Sequence, residues 1–220
     1  FLVKGSFLII FIIIIFNCSF VFGQKETDWK LVKSSNGIKA YTQNQTGSKI
    51  KRVKVEALVQ ATLSQLISLL KDADNHKEWV YFNKSARMIE VESEYQWKYY
   101  GYSDSPWPVS DRDFITEVVL SQDSIDYSVT LISCAIPTFL PVTKDCVRIP
   151  YINSKWYLNP VGNGSVYIVF ELAADIGGKI PAWLFNLAIT KGPLSTMEGL
   201  IEQIETKYKN TNLDYIKELD

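Results

Sequence analysis

Few side chains in this sequence of 220 residues are suited to acid–base or nucleophilic chemistry. There is one histidine, His76, set among Asp74, Asn75, Lys77 and Glu78, a stretch that reads as a solvated helix end. An imidazole titrates near neutrality, but here no second histidine or neighbouring cysteine completes a metal set or a nucleophile–base pair. Cys134 and Cys146 flank a turn-like stretch containing Pro137 and Pro141. Hairpin strands on either side would bring the two together as a disulfide in an oxidising compartment; two separate buried thiols are the alternative. Arg112 opens an otherwise apolar strand. It either meets a polar group of a ligand or a buried carboxylate, or it pairs with Asp111, Asp113 or Glu117 and holds a loop; Arg148 has the same two readings. Trp107, between Pro106 and Pro108, is either a plug in a rigid loop or a ligand contact. This inventory implies no catalytic set, no metal and no cofactor.

The elements that must position these residues follow from periodicity. Lys25–Ser35 reads as a short helix and Asn36-Gly37 as a turn. Gly37–Gln43 reads as a strand, residues 44–49 as a hairpin loop, and Ile50–Gln60 as a strand with Val53, Val55, Ala57 and Val59 on one face. Thr62 and Gln65 form a capping box ahead of a helical stripe of Leu63, Leu66, Ile67 and Leu70, and Asp74–Trp79 continues as helix. Strands are expected at Ala86–Ser93, Tyr95–Tyr102, Asp111–Ser121, Ile125–Cys134, Asn153–Asn159 and Ser165–Ala174. From Pro181 the period changes to that of a helix, with Trp183, Leu184 and Leu187 on one stripe and Met197, Ile201, Ile204 and Tyr208 on another. Gly192-Pro193 should break or kink it. The order predicts an α+β fold with a curved antiparallel sheet against a long C-terminal helix.

Residues 7–16 form an unbroken apolar run after Lys4, and Val21 and Gly23 precede Gln24 as a cleavage site requires. Residues 1–23 therefore read as a secretory signal peptide, predicting a periplasmic or secreted protein. A retained anchor and lipidation at Cys18 are the alternatives. A net charge of −1 gives no basic patch for nucleic acid. Aromatic residues at 13% favour a ring-lined core or pocket.

Several segments resemble, in order, the START (StAR-related lipid transfer) domain family over about residues 26 to 208. They are Trp29 with Asn36-Gly37-Ile38-Lys39-Ala40-Tyr41; Lys51 to Ala57; Leu70 to Asp74 with Glu78-Trp79; Pro106 to Phe114; Val147-Arg148; Trp156 to Pro160; and Ile180 to Leu184. The resemblance implies a helix-grip fold, an incomplete barrel whose C-terminal helix closes over a tunnel for one lipid or sterol-like molecule. The domain would span residues 24–210, with a short tail at 211–220. Ligand contacts would come from Trp107, Arg112, Phe114, Leu131, Arg148, Phe170, Trp183, Leu184 and Leu187. The implied protein is a monomeric binder that touches membranes transiently and is not an enzyme. A helix-grip cyclase or aromatase acting on a hydrophobic substrate is the alternative.

Overall fold

The computed structural model describes residues 28–44, 51–181 and 191–219. In chain order they form β1 (Lys30–Ser35), β2 (Ile38–Asn44), β3 (Lys51–Gln60), α1 (Leu63–Lys71), a 3-10 turn (Ala73–Asn75), α2 (His76–Trp79), β4 (Asn83–Ser93), β5 (Gln96–Ser103), β6 (Asp111–Gln122), β7 (Val129–Ala135), β8 (Cys146–Arg148), β9 (Tyr151–Gly162), β10 (Ser165–Asp175) and α3 (Gly192–Thr206). The segment read as a signal peptide, the loop expected after Asn44, and Trp183, Leu184 and Leu187 lie outside the described residues.

The strands make one sheet in the order β1-β2-β3-β10-β9-β7-β6-β5-β4, and its two edges do not meet. Pairing is antiparallel except for β8, which runs parallel to β6, a departure from the antiparallel sheet expected from the sequence. The break between β3 and β4 in chain order is filled by α1 and α2, and α3 packs against both and against β2 and β3. This is the helix-grip architecture: an open curved sheet holding a helix.

Local chemistry explains most elements. On β3, Val53, Val55, Ala57 and Val59 are all buried, as strict alternation demands. Thr62 accepts from the Gln65 backbone N–H at 3.2 Å, while the Gln65 side chain accepts from the Thr62 N–H at 2.8 Å, so the capping box is formed. On α3, Leu194, Met197, Leu200 and Ile204 face the core. The Gly192-Pro193 pair opens this helix, the proline sitting where its missing N–H costs nothing.

Two expected elements differ. Of the helix expected over Lys25–Ser35, the described part carries strand β1 (Lys30–Ser35) instead, because Asn36 (φ 50°) and Gly37 (φ 78°) build a two-residue hairpin that zips it onto β2. The strand expected from Ile125 starts only at Val129. Asp123 Oδ1 accepts from the Ile125 N–H at 2.7 Å, holding residues 123–128 in a turn that leaves Ile125 exposed.

The C-terminal tail is tied to α1. Ile216 is buried, and the Glu218 carboxylate accepts from the Leu63 and Ser64 backbone N–H groups at 2.9 and 2.8 Å. These are two of the N–H groups that a helix start leaves without partners.

Candidate ligand-binding cavity

Between the inner face of the sheet and the helices lies a cavity of about 310 Å³. Its wall follows the period of two. β6 contributes Arg112, Phe114, Thr116 and Val118; β7 contributes Leu131 and Ser133; β10 contributes Phe170, Leu172 and Ala174. Gly192, Pro193 and Thr196 at the start of α3 form part of the cover.

Six aromatic rings run through this wall in unbroken contact. Phe114 meets Tyr99 at 5.8 Å between ring centres, Tyr99 meets His76 at 5.2 Å, and His76 meets Trp79 at 5.3 Å, all edge to face. Trp79 meets Trp156 at 6.4 Å, and Trp156 stacks on Phe170 at 4.2 Å. Rings in such arrangements hold one another in place, so the cavity is a preformed apolar surface. The Trp79 indole N–H is buried and meets no acceptor among the described residues.

His76 is not at a solvated helix end. It is 5% exposed, because the short α2 turns beneath the sheet edge and lays its first side chain against Tyr99. Burial pulls its pKa below the usual histidine value, outweighing the opposing effects of the Leu70 carbonyl, Asp72 and Asp74. Its Nε2 lies 3.0 Å from Leu70 O, and a proton on Nε2 makes that contact a hydrogen bond.

Of the residues expected at the ligand, Arg112, Phe114, Leu131 and Phe170 line the cavity. Trp107 does not: it is 90% exposed, at the tip of a loop whose base is held by the Ser105 N–H on Asp111 Oδ1 at 2.9 Å. Arg148 also lies elsewhere. Its register partner on β6 is Asp113, whose side chain points to the face of β6 opposite Arg112. Arg148 Nε and Nη2 donate to the two Asp113 carboxylate oxygens at 2.8 and 2.9 Å, and its remaining donors reach the carbonyls of Pro137, Leu140 and Pro141. Arg148 therefore clamps the 137–141 loop to β6. Desolvation pushes the Asp113 carboxyl up, but Arg148 and the Thr143 hydroxyl outweigh it and hold it below the usual carboxylate range.

Cys134 lies opposite Glu117 and Cys146 opposite Asp111 on the same strand. Six positions at ~3.3 Å each separate them by about 20 Å, whereas a disulfide needs Cα atoms within about 7 Å. The two do not form a disulfide with each other. Burial, reinforced by Asp113 and Asp111, pushes the Cys146 thiol up to about 11, so it is a poor nucleophile.

Arg112 has none of the ion pairs expected for it. It is 4% exposed, and its Nη1 donates to Ser110 O and, at 3.4 Å, to Ser105 Oγ. Nη2 reaches Gly177 O at 3.5 Å, and Nε meets no acceptor among the described residues. Burial pulls its pKa below the usual arginine value. Sequence reasoning missed His76, Trp79, Tyr99 and Trp156 as wall residues. The signals were there: His76 and Trp79 are spaced i, i+3, and Trp156 sits opposite Phe170 in the β9–β10 register.

An open sheet gripping a helix over a ring-lined cavity is the helix-grip class of fold. The chain belongs to the START domain family, whose family model matches residues 22–202. It is 30% identical over 180 residues to an uncharacterized protein of Pseudomonas aeruginosa, covering 82% of this chain and 88% of that one. It is 24% identical over 189 residues to the phosphatidylcholine transfer protein of Mus musculus, covering 84% and 87%. Among solved structures, it is similar to a STAR-related lipid transfer protein fragment from Xanthomonas axonopodis, with a TM-score of 0.75 at 28% identity over 81% of this chain and 99% of that one.

Proposed function

We propose that this protein binds one lipid or other apolar molecule in the cavity, outside the cytoplasm, and carries it as a non-enzymatic monomer. The observation that carries this reading is the unbroken belt of six rings along the cavity wall. Burying an apolar chain there is worth ~25 cal/mol per Å² removed from water, and the rings are already in place to receive it. The names of the mouse and Xanthomonas relatives, both lipid transfer proteins, support the same cargo class. Export rests on residues 1–23 as a signal peptide.

A binding role also fits the titratable groups of the wall, which do not converge on a reacting centre. His76 is committed to Leu70 O, and Asp104 at the rim faces Lys84 at 3.2 Å. General acid–base catalysis requires such groups to meet at one atom. Native mass spectrometry of the protein purified from its host, followed by displacement of Nile red from the purified chain, tests the reading. Co-purified lipid and displacement by lipids are expected; bare protein that takes up no lipid refutes it.

A further inference from the structure

The cavity carries one unusual feature besides its rings: a row of polar side chains across three adjacent strands. Asn83 of β4 lies opposite Ser103 of β5, and Ser103 lies opposite Arg112 of β6. Residues so registered share a face and sit ~4.8 Å apart from strand to strand, and all three line the cavity. Asn83 is 8% exposed, and neither atom of its carboxamide has a partner among the described residues. Arg112 Nε is likewise unpartnered. Ser105, also in the wall, stands beside Arg112 Nη1.

Arg112 forms no ion pair among the described residues, and Asp111 acts on it only through space. Asp111 accepts from the Tyr102 hydroxyl and the Ser105 N–H; Asp113 is held by Arg148 and Thr143; Asp104 faces Lys84; Glu117 accepts from Gln96. Each nearby carboxylate is thus engaged elsewhere. A buried cation in no ion pair among the described residues, beside a carboxamide with no partner among them, is costly unless something joins it. The two hydroxyls and the carboxamide add donors around the same point.

We propose that the Asn83–Ser103–Arg112 row is an oxyanion subsite, and that the ligand is an amphiphile bearing a carboxylate or phosphate there with its apolar chain along the ring belt. This rests on the cavity-binding reading above and assigns the polar end of the ligand. A guanidinium is suited to either oxyanion by its forked donors.

The test measures displacement of neutral Nile red from the full chain by three ligands with the same oleoyl chain: oleate, oleoyl lysophosphatidic acid and uncharged oleyl alcohol. At least one anion should bind about tenfold or more tighter than the alcohol, the size expected of a charge-assisted hydrogen bond; the tighter anion tells carboxylate from phosphate. Arg112→Gln should abolish that preference and Asn83→Leu should reduce it, each read as the ratio of anion to alcohol affinity within the same variant. An alcohol that binds as tightly as both anions, or an anion preference that survives Arg112→Gln, overturns the subsite while leaving the cavity reading intact. Should Arg112→Gln fail to fold, the wild-type ratio and Asn83→Leu decide. Binding of none of the three refutes the cavity reading itself, and the subsite with it.

Discussion

The ring of Phe114 lies over Gly101, its register partner on the next strand, so closely that a Cβ on Gly101 would stand 2.6 Å from Phe114 Cε1. No real side chain tolerates that contact. The missing side chain of Gly101 is what lets Phe114 tilt across β5 and reach Tyr99 in the cavity wall. Gly101→Ala should therefore push Phe114 out of place and cost ~1–3 kcal/mol, as overpacking does. Phe114→Leu in the same chain should recover part of that loss. A double-mutant cycle by urea unfolding checks it: coupling above about 0.5 kcal/mol is expected for residues in contact, and additive losses would show that the two do not constrain each other.

How far the sequence reveals this arrangement depends on the kind of signal. Periodicity finds β3 and the α1 stripe, because Val53 to Val59 and Leu63 to Leu70 each bury one face and that pattern is local. It misreads β1, since a strand at the sheet edge is exposed along nearly its whole length and is defined only by pairing with β2. At the site, Arg112 and Phe114 are legible as positions sharing one face of a strand, and the structure turns that face to the cavity. Arg148 is not separable from Arg112 by sequence: what divides them is the parallel docking of β8, a contact between residues 35 apart. His76 is the clearest case. Its polar neighbours describe a surface helix, and only the turn of α2 beneath β5 buries it.

The Arg148–Asp113 pair should be a main support of the fold. Asp113 is wholly buried and its partner nearly so, and removing one member of such a pair strands the other's charge, at about 3–5 kcal/mol. Arg148→Met should lose stability in that range, and Arg148→Lys should recover little because a lysine cannot make the forked contact. The pH dependence follows from the lowered Asp113 pKa. A carboxyl depressed on folding stabilises above its unfolded value of ~3.9, and that contribution is lost as pH falls through the folded value. Asp113→Asn should therefore melt lower at pH 7 yet show a shallower drop between pH 4 and 2 than wild type in a series of thermal melts.

Glu218 should matter more than a surface carboxylate normally does. Its carboxylate takes two N–H groups at the start of α1, where the helix dipole also favours negative charge. Glu218→Ala should cost ~1–2 kcal/mol, and Glu218→Gln a smaller amount, since one amide oxygen still accepts. Hydrogen exchange at the Leu63 and Ser64 amides reports the loss directly; unchanged protection in Glu218→Ala would mean that the tail contact is not holding the helix.

His76 gives the protein a built-in sensitivity to mild acid. Burial against Trp79 and Tyr99 lowers its pKa on folding, so the folded ring resists a proton that the unfolded chain accepts near pH 6.5. The sign follows from linkage: below that pH the unfolded state binds more protons, so stability falls as pH drops from about 7 toward the folded value, by ~1.4 kcal/mol for each unit separating the two. Because the chain has one histidine, no other side chain with an ordinary pKa titrates in that window. Urea unfolding at pH 7.5 and 5.5 should show wild type weaker at the lower pH. His76→Phe, which keeps the ring contacts and removes the titration, should show nearly equal stability at both. A wild-type protein equally stable at the two values would mean that His76 takes up its proton in the folded state, and hence that the ring reaches solvent or a carboxylate rather than the closed wall described above.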